Sequence, residues 1–367
     1  MIKKLKDICS FQSGGTPSKN NPDYFDGTIP WITTVALNGK HIGNEEAVAW
    51  ITEKAIQEST AKIVPANSIM VGTRVGIGKV AINTVPMSTS QDIISLINID
   101  ESLWDKDYLC KFIQSKNSVL NAQARGATIK GIKIEALGNL PIPILPKEQQ
   151  HQIVLVLNGI ASIIKERSAE LESLDFLIKA RFVEMFGDPV INPMGWKQKR
   201  FDEICENLDS KRKPITASER EEGPYPYYGA SGIVDYVADY IFDENILLVS
   251  EDGANLLMRS TPIAFSVSGK VWVNNHAHVV RFRDMYLQKY IEIAFSLIEI
   301  SDCITGSAQP KLNQAKLNAM LFSVPDEEKL KAYLTFVNQI DKSKVVVQEA
   351  LNKAQMLFDS LMQQYFG

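Results

Sequence analysis

The sequence predicts an α+β protein made of two globular domains, each followed by a long helix, with the two helices forming an antiparallel coiled coil. A helical pattern of about 40 residues in the middle of the chain returns at the C-terminal end, offset by about 180 residues. The stretch before each helix contains short β-type runs separated by Gly, Pro and Asn. This pseudo-two-fold repeat predicts globular domains at 1–146 and 188–325 and long helices at 147–187 and 326–367.

The two helical segments share one hydrophobic phase. In the first, apolar residues recur at alternating steps of four and three, the a/d seam of a coiled coil, and the second keeps the same phase. Each seam needs a partner, and the other helix supplies one; the alternative is two independent amphipathic helices, each packed on its own domain. The predicted seam residues are Leu157, Ile160, Ile164, Leu171, Leu174 and Ile178 in the first helix, and Val337, Ile340, Val347, Leu351, Phe358 and Leu361 in the second.

The globular domains also repeat. The sequence KKLKDIC at 3–9 is similar to KRFDEIC at 199–205, and NSIMV from Asn67 is similar to NILLV from Asn245. A turn-rich linker, GDPVINPMGW, follows the first long helix. The predicted order along the chain is therefore domain, long helix, domain, long helix.

Composition limits the classes of function. With 39 Lys and Arg against 43 Asp and Glu, the net charge is −4, so a nucleic-acid site has to be a local patch. Four cysteines lie far apart without a CxxC pair, which predicts reduced, mostly buried thiols and no zinc site. The N-terminal segment lacks an apolar signal region, and the longest apolar run is interrupted by polar residues. We therefore expect a soluble, cytoplasmic protein.

Both domains contain basic windows free of acidic residues. These are 59–91 and 108–134 in the first half, and 253–283 and 303–325 in the second. Lys and Arg contacts to phosphates supply most non-specific affinity for DNA, and the recurrence of these windows favours a nucleic-acid surface. The alternative is that apolar strands simply contain few acids. Loops in these windows carry Arg, Lys, Asn and Gln, which can read base edges but are also ordinary loop residues.

Catalytic motifs are missing from the sequence. GTRVGIGK lacks the Walker spacing, and INPMGW lacks the second proline of an adenine methyltransferase loop. His276 and His278 could share a strand face, but no third ligand stands near them in the sequence, so hydrogen-bonded histidines are favoured over a metal site. We predict no catalytic residue and no bound metal.

Three long stretches resemble a known family. They are GGTPSKNNPDYFDGTIPWIT from Gly14, YPYYGASGIVDYVADYIFDENILLVSEDG from Tyr225 with RSTPIAF from Arg259, and PIPILPKEQQHQIV from Pro141. Together with the order of domains and helices, they make the whole chain resemble the specificity subunit of type I restriction-modification enzymes.

The resemblance implies a non-catalytic DNA-reading adaptor. Each globular domain would be a target-recognition domain that reads one half of a bipartite, asymmetric site in double-stranded DNA, and the helix pair would fix the gap between the halves. Two methyltransferase subunits, and restriction subunits, would be the partners. Those subunits, and not this chain, would hold S-adenosylmethionine, ATP and Mg²⁺. The alternative within this class is the specificity subunit of a methyltransferase-only or type II-like system.

The resemblance also suggests DNA-contacting residues, chosen as polar or basic side chains within the matching stretches. Tyr227 and Tyr228 could instead be core residues, and Lys211 to Lys213 a solvated loop. For the first half-site the candidates are Thr16, Ser18, Lys19, Thr33, Arg74, Lys79, Gln91, Arg125, Thr128 and Lys130. For the second they are Lys211, Arg212, Tyr227, Tyr228, Ser231, Arg259, Asn274, Asn275, His276, Gln309 and Lys311.

Two other classes of function stay open on the sequence alone. One is a sequence-specific nuclease or methyltransferase with an unrecognised active site. The other is an assembly protein that uses the coiled coil and has no role in DNA binding. Incubation of the chain with DNA, S-adenosylmethionine and Mg²⁺ would separate the first from an adaptor, and salt-dependent DNA binding would separate the second.

Overall fold

The computed structural model describes residues 2–126, 130–306 and 309–367. Contacts divide the chain into two units. The first comprises Met1–Glu166 and Ala350–Gly367, and the second comprises Arg167–Glu349. Each unit therefore contains one globular domain together with a part of both long helices.

The first domain is built from short strands and four short helices within its described residues. Its strands are β1 (Ile2–Lys4), β2 (Ser10–Ser13), β3 (Phe25–Ile32), β4 (His41–Ile42), β5 (Ala49–Ile51), β6 (Ile63–Val64), β7 (Ile69–Gly72), β8 (Val80–Asn83), β9 (Met87–Thr89), β10 (Ile93–Ile97) and β11 (Pro141–Pro143). Its helices are α1 (Glu53–Glu58), α2 (Lys106–Ser115), α3 (Asn117–Ala122) and α4 (Ile134–Gly138), followed by the first long helix, α5 (Lys147–Phe186).

The second domain uses the same kinds of elements. Its strands are β12 (Lys197–Arg200), β13 (Glu206–Asn207), β14 (Tyr225–Gly229), β15 (Gly232–Val237), β16 (Phe242–Asp243), β17 (Ile246–Ser250), β18 (Ala264–Val267), β19 (Lys270–Val273), β20 (Ala277–Arg281) and β21 (Leu321–Val324). Its helices are α6 (Phe201–Ile204), α7 (Asn255–Met258), α8 (Met285–Leu297) and α9 (Gln314–Ala319), followed by the second long helix, α10 (Glu327–Phe366).

Strand order repeats between the domains. The first has sheets β1-β11, β2-β10-β7-β8-β4 and β5-β3-β9-β6, and the second has β12-β21, β13-β20-β17-β18 and β15-β14-β19-β16. A parallel pair occupies the same place in each, β3 with β9 and β14 with β19. In the described chain, only β4 lacks a counterpart. The predicted α+β fold with an internal repeat is confirmed, and NSIMV and NILLV form the equivalent strands β7 and β17.

The similar heptapeptides adopt the same local structure. Leu5 and Phe201 begin a short helical turn and are fully buried. Four residues later, the Cys9 and Cys205 thiols donate hydrogen bonds of 3.2 Å to the Leu5 and Phe201 carbonyls. Burial raises the pKa of both thiols to about 12. These cysteines therefore belong to a repeated turn.

All four cysteines lie in the described part of the chain and are free. Only Cys110 is fully buried, whereas Cys9, Cys205 and Cys303 are half-buried. The expectation of mostly buried thiols is thus wrong for three of them. No helix among the described residues has the length and apolar character needed to cross a membrane.

The core of the first unit joins the sheet to both long helices. Ile153 and Leu157 of α5 and Phe366 of α10 lie in one hydrophobic cluster with α2 and β7. The Phe366 ring centroid lies 5.2 Å from that of Tyr108 and 6.2 Å from that of Phe112. The start of α5 and the end of α10 are thus anchored on the first domain by burial of large apolar side chains.

The core of the second unit holds the opposite ends of the same helices. Phe182 and Phe186 near the end of α5 pack with Tyr290 of α8 and Tyr333 of α10, with ring centroids 4.8 to 5.8 Å apart. Close aromatic pairs of this geometry add to the stabilisation that burial provides.

The direction of the pair follows from two contacts within the second unit. The Tyr333 hydroxyl donates to the Ile178 carbonyl oxygen at 2.9 Å, and the Lys344 ammonium lies 2.5 Å from an Asp175 carboxylate oxygen. Numbers rise along one helix as they fall along the other, so α5 and α10 are antiparallel. The helices therefore pack on their domains and on each other, and the alternative of independent helices is wrong.

The predicted seam residues are all buried or half-buried, whereas Phe176 and Met356, off the seam, are 72% and 71% exposed. Arg167, Arg181 and Lys344 stand at polar positions of the seam, and each has an acidic partner, which is Glu170 for Arg167. Arg181 pairs with Glu184 at 2.7 Å, and Lys344 pairs with Asp175. The Lys344–Asp175 pair joins α10 to α5 and so restricts the register of the helices, whereas the Arg181–Glu184 pair lies within α5.

Candidate nucleic-acid interface

Loops from several strands meet at one end of the sheets in the first domain. The Gly14 N–H donates to the Ile93 carbonyl at 3.0 Å, and the Ser90 N–H donates to the Ile32 carbonyl at 2.9 Å. These bonds tie the loops after β2 and β3 to the loop before β10, and the turn between β7 and β8 lies at the same end. We call this region the first strand-end surface; it comprises 14–19, 33, 73–79, 90–92, 125–126 and 130–131.

The candidate residues of the first half-site that belong to the described part of the chain lie on this surface. Within it, the Gln91 N–H donates to the Thr16 hydroxyl at 3.4 Å. Arg74 and Arg125 line one groove of about 920 Å³. Thr128 lies outside the described residues. Thr33 is half-buried, and Thr16, Ser18, Lys19, Arg74, Lys79, Gln91, Arg125 and Lys130 are exposed.

The second domain builds the same frame. The Asn274 N–H donates to the Tyr228 carbonyl at 3.0 Å, as Ser90 does to Ile32 in the first domain. Ser250 pairs with Ala277 across β17 and β20, as Gly72 pairs with Ile93 across β7 and β10. We call the resulting region the second strand-end surface; it comprises 209–212, 229–232, 251–253, 274–276, 305–306 and 309–311.

Most candidates of the second half-site come together here. Lys211, Ser231, Asn275, His276, Gln309 and Lys311 are exposed. Asn274 is buried, and its side-chain oxygen accepts from the His276 N–H at 2.8 Å. Asn274 therefore shapes the loop that presents His276. Whether the exposed residues contact DNA stays a prediction.

Arg212 has a different environment from the one expected of a DNA contact. Its side chain is only 12% exposed. The guanidinium donates to the Glu251 carboxylate at 2.6 Å and to the Ala277 carbonyl at 2.7 Å, and it lies 3.3 Å from Asp209. A guanidinium with this many buried partners holds the strand ends together. Its placement favours a structural role.

The two carboxylates of this network stay ionised. For Asp209 and for Glu251, burial favours the neutral acid, but stronger opposing interactions hold each pKa below its ordinary value. Asp209 accepts a hydrogen bond from His278 and faces Arg212, and Glu251 accepts from Arg212 and Lys311. The network therefore combines paired charges in a site where Arg212, Asp209 and Glu251 are largely buried.

The absence of a third ligand near the histidines, expected from the sequence, is wrong for His278. Among the described residues, Asp209, Glu251 and His278 bring ligand-type atoms within 4.8 Å of one another. His278 Nδ1 lies 2.6 Å from Asp209, and its Nε2 lies 2.8 Å from the Leu312 carbonyl oxygen. Arg212 and Lys311 already pair with these two acids, so we assign the group to the salt-bridge network.

Three more candidates lie outside the second strand-end surface. Tyr227 is 1% exposed, and its hydroxyl accepts from the Ile215 N–H at 3.0 Å, which is the core placement left open above. Arg259, at φ 51°, donates to the Phe295 and Ile298 carbonyls at 2.8 and 3.0 Å. Arg259 thus caps the end of α8, where cations stabilise helix termini. Tyr228 is half-buried beside Phe265.

The sequence did not predict that acidic residues lie at both strand-end surfaces. Asp92 pairs with Arg74 at 3.4 Å, and Asp252 pairs with His276 at 2.9 Å. Both acids stand just outside the acid-free windows, and the fold brings them beside basic residues of the same windows. The second strand-end surface is thus mixed in charge, not uniformly basic. Only strand pairing, which the sequence does not display, could have revealed these partners.

Comparisons with known proteins agree with this architecture. Residues 1–173 and 193–354 match the family model described as type I restriction modification DNA specificity domain. The MjaIX specificity subunit of Methanocaldococcus jannaschii, a type I restriction enzyme subunit, is 25% identical over 393 residues, which cover 98% of this chain and 91% of the relative.

Two solved structures share the fold. The S subunit of a type I restriction-modification system from M. genitalium gives a TM-score of 0.58 at 16% identity, covering 100% of this chain and 96% of that one. A chain from a structure on complex assembly and conformational transition of the type I R-M system gives 0.62 at 14% identity, covering 100% and 97%. Since the family model matches nearly the whole sequence, in two segments that each include one repeat, this chain belongs to the family of type I restriction-modification specificity subunits.

Proposed function

We propose that this chain reads the DNA target for a type I restriction-modification complex, with each domain contacting one half of a bipartite, asymmetric site. The observation that carries the proposal is the repeated frame of strand-end loops with different side chains. The first surface presents Arg74 and Lys79, whereas the second presents His276 and Lys311. One frame with two sets of side chains suits two unlike half-sites.

We assign the long helices the role of a spacer. Each is one continuous helix of 40 residues, about 60 Å at 1.5 Å per residue. Within the second unit, the contacts of Tyr333 and Lys344 fix the register of the pair. A stiff, registered pair would hold the gap between the half-sites constant.

We assign two methyltransferase subunits as partners, and restriction subunits beyond them. Phe176 and Leu177 are 72% and 43% exposed on α5, and Met356 and Leu357, 180 residues later, are 71% and 50% exposed on α10. Exposed apolar pairs on a helix are typical of protein contacts. These two pairs stand at equivalent positions of the repeat, one in each unit, so a single kind of partner could dock twice.

The chemistry would then reside in the partners. Methyltransferase subunits would hold S-adenosylmethionine and methylate adenine, and restriction subunits would use ATP and Mg²⁺, while this chain acts without catalysis. Its family is the DNA-specificity component, which argues against a nuclease or methyltransferase in this chain. A pure assembly role leaves the two strand-end surfaces unexplained. The type II-like alternative is not favoured, because the relatives are type I subunits. We place this activity in the cytoplasm, where prokaryotic DNA lies.

The test is to express the chain with its methyltransferase subunit in an unmethylated host and to map N6-methyladenine by single-molecule sequencing. We expect a split motif with a fixed gap that disappears when the chain is omitted. Methylation that is unchanged by the omission would refute the proposal. The purified chain alone, given S-adenosylmethionine, Mg²⁺ and DNA, should neither methylate nor cut.

A further inference from the structure

On each strand-end surface, an exposed side chain with a nitrogen-containing group contacts a carboxylate that is less exposed. In the first, an Arg74 guanidinium nitrogen lies 3.4 Å from Asp92 Oδ1. In the second, His276 Nδ1 lies 2.9 Å from each Asp252 carboxylate oxygen. Arg74 and His276 are about half exposed, at 50% and 49%, whereas Asp92 and Asp252 are 28% and 15% exposed. In both pairs the acid lies inward and the nitrogen group faces outward.

The two pairs occupy equivalent backbone positions. Gly72 pairs with Ile93 in the first domain, and Ser250 pairs with Ala277 in the second. Two residues beyond Gly72 lies Arg74, and two beyond Ser250 lies Asp252. One residue before Ile93 lies Asp92, and one before Ala277 lies His276.

Main-chain hydrogen bonds confirm this alignment. The Thr73 N–H donates to the Asp92 carbonyl at 2.8 Å, and the Glu251 N–H donates to the His276 carbonyl at 2.9 Å. The same two loops therefore carry an acid–nitrogen pair in each domain, with the two partners exchanged between the loops.

The chemistry of the outward groups differs. A guanidinium has donors only, and its fork matches O6 and N7 of guanine in the major groove. A carboxylate oxygen accepts, so the contact with Asp252 favours the His276 tautomer that carries its proton on Nδ1, in which Nε2 is an acceptor. An acceptor matches the exocyclic amine of adenine or cytosine.

The other acidic residues near His276 are paired with other side chains. Glu251 follows Ser250 on the same loop as Asp252, but its carboxylate is taken by Arg212 at 2.6 Å and by Lys311 at 3.0 Å. Asp209 is held by His278 and Arg212. Asp252 is thus the carboxylate that the structure aligns with His276.

We propose that these exchanged pairs are specificity determinants, in which Arg74 reads a guanine of one half-site and His276 reads an adenine or cytosine of the other. Asp92 and Asp252 are positioning residues that orient the reading groups. This inference rests on the proposed function and names the groups that carry its specificity.

The experiment compares methylation motifs of variant complexes made with the methyltransferase subunit. Arg74→Ala should relax one guanine position in one half-site, with about a tenfold loss of discrimination, and leave the other half unchanged. His276→Ala should relax one adenine or cytosine position in the other half. The unaffected half of each motif reports that the variant complex is folded and assembled.

Positioning is tested by rescue. Asp252→Ala should relax the same position as His276→Ala, whereas Asp252→Asn keeps an acceptor oxygen for Nδ1–H and should retain the preference. If the Asp252→Ala and His276→Ala complexes lack all methylation, the milder variants Asp252→Asn and His276→Gln decide the outcome. Asp252→Asn should then retain the wild-type base preference, and His276→Gln should change it at one position. Matched controls are His41→Ala and Arg200→Ala, whose side chains pair with Asp107 and Asp202 outside the strand-end surfaces.

A wild-type split motif that persists unchanged in Arg74→Ala and His276→Ala would overturn this inference and leave the proposed function intact. If the wild-type motif has a guanine at the position that His276→Ala relaxes, the proposed acceptor role of the His276 ring is wrong. Absence of any split motif with the wild-type chain would instead count against the proposed function.

Discussion

Tyr333 donates its buried hydroxyl to the main-chain carbonyl oxygen of Ile178, 2.9 Å away, and so joins α10 to α5 inside the second unit. The same tyrosine packs its ring against Phe182 and Phe186. One side chain therefore contributes both apolar burial and a directional bond to the helix pair. The two contributions can be separated by substitution.

Tyr333→Phe keeps the ring and removes the hydrogen bond. We expect the free energy of unfolding of the purified chain to fall by about 1 kcal/mol, the usual net value of one such bond. Tyr333→Ala should lower it by about 3–5 kcal/mol, because the ring volume is lost as well. Urea denaturation measures both. Equal losses for the two variants would show that the ring contributes nothing.

Gln150 fixes the start of α5 on the first domain. It is fully buried, donates to the Leu103 and Leu145 carbonyls at 2.9 and 2.8 Å, and accepts from the Asp105 N–H at 2.9 Å. Gln150→Leu leaves these main-chain groups unpaired and should lower the free energy of unfolding by about 2–4 kcal/mol. Gln152→Leu, at an exposed position of the same helix, is the control and should be nearly neutral in the same denaturation assay.

Acid should destabilise the second domain through Asp209 and Glu251. Both pKa values are lowered on folding, so the stabilisation is complete above the unfolded values, about 4, and is lost as the pH falls through the folded values. We expect the free energy of unfolding to fall between about pH 5 and pH 3. Replacing both residues with Asn and Gln should flatten this dependence, whereas Glu172→Gln, on the exposed face of α5, should not. An unchanged slope in the double variant would contradict the assignment.

A proline at Leu171 should prevent assembly. Leu171 is a half-buried seam residue near the middle of α5, and proline removes a helical hydrogen bond and clashes with the preceding turn. We expect no complex with the methyltransferase subunit by size-exclusion chromatography. Leu171→Met, which keeps the helix, is the control, and normal assembly of the proline variant would mean that helix continuity is dispensable.

The exposed apolar pairs should set partner number. Phe176→Glu and Met356→Glu should each reduce the complex from two methyltransferase subunits to one, and the double variant should bind none. Native mass spectrometry gives the stoichiometry. Val190→Glu, which alters an exposed apolar residue of the linker, is the control. Loss of both subunits in a single variant would contradict independent docking sites.

The sequence predicted the features that depend on periodicity. The helical phase and the paired heptapeptides anticipated two long helices and a repeated domain, because burial of an apolar stripe is a local constraint on sequence. The sequence did not predict which side chains are partners. The sequence predicts that Arg212 and Arg259 contact DNA. The Glu251 and Ala277 partners of Arg212 lie 39 and 65 residues away along the chain, and the Phe295 partner of Arg259 lies 36 residues away. The sequence does not indicate a role for Asp92 and Asp252, because each meets its nitrogen partner only across folded strands.

The division of the chain has a consequence for the order of folding. The second unit is one continuous stretch, Arg167–Glu349, whereas the first is assembled from two stretches that are far apart in sequence. Phe366 packs in the core of the first unit beside Tyr108, which lies 258 residues earlier in the chain. Closing so long a loop is slow, because its entropy is lost before the contacts form. Refolding should therefore proceed in two phases, with the interior stretch of the chain protected first and the enclosing one last.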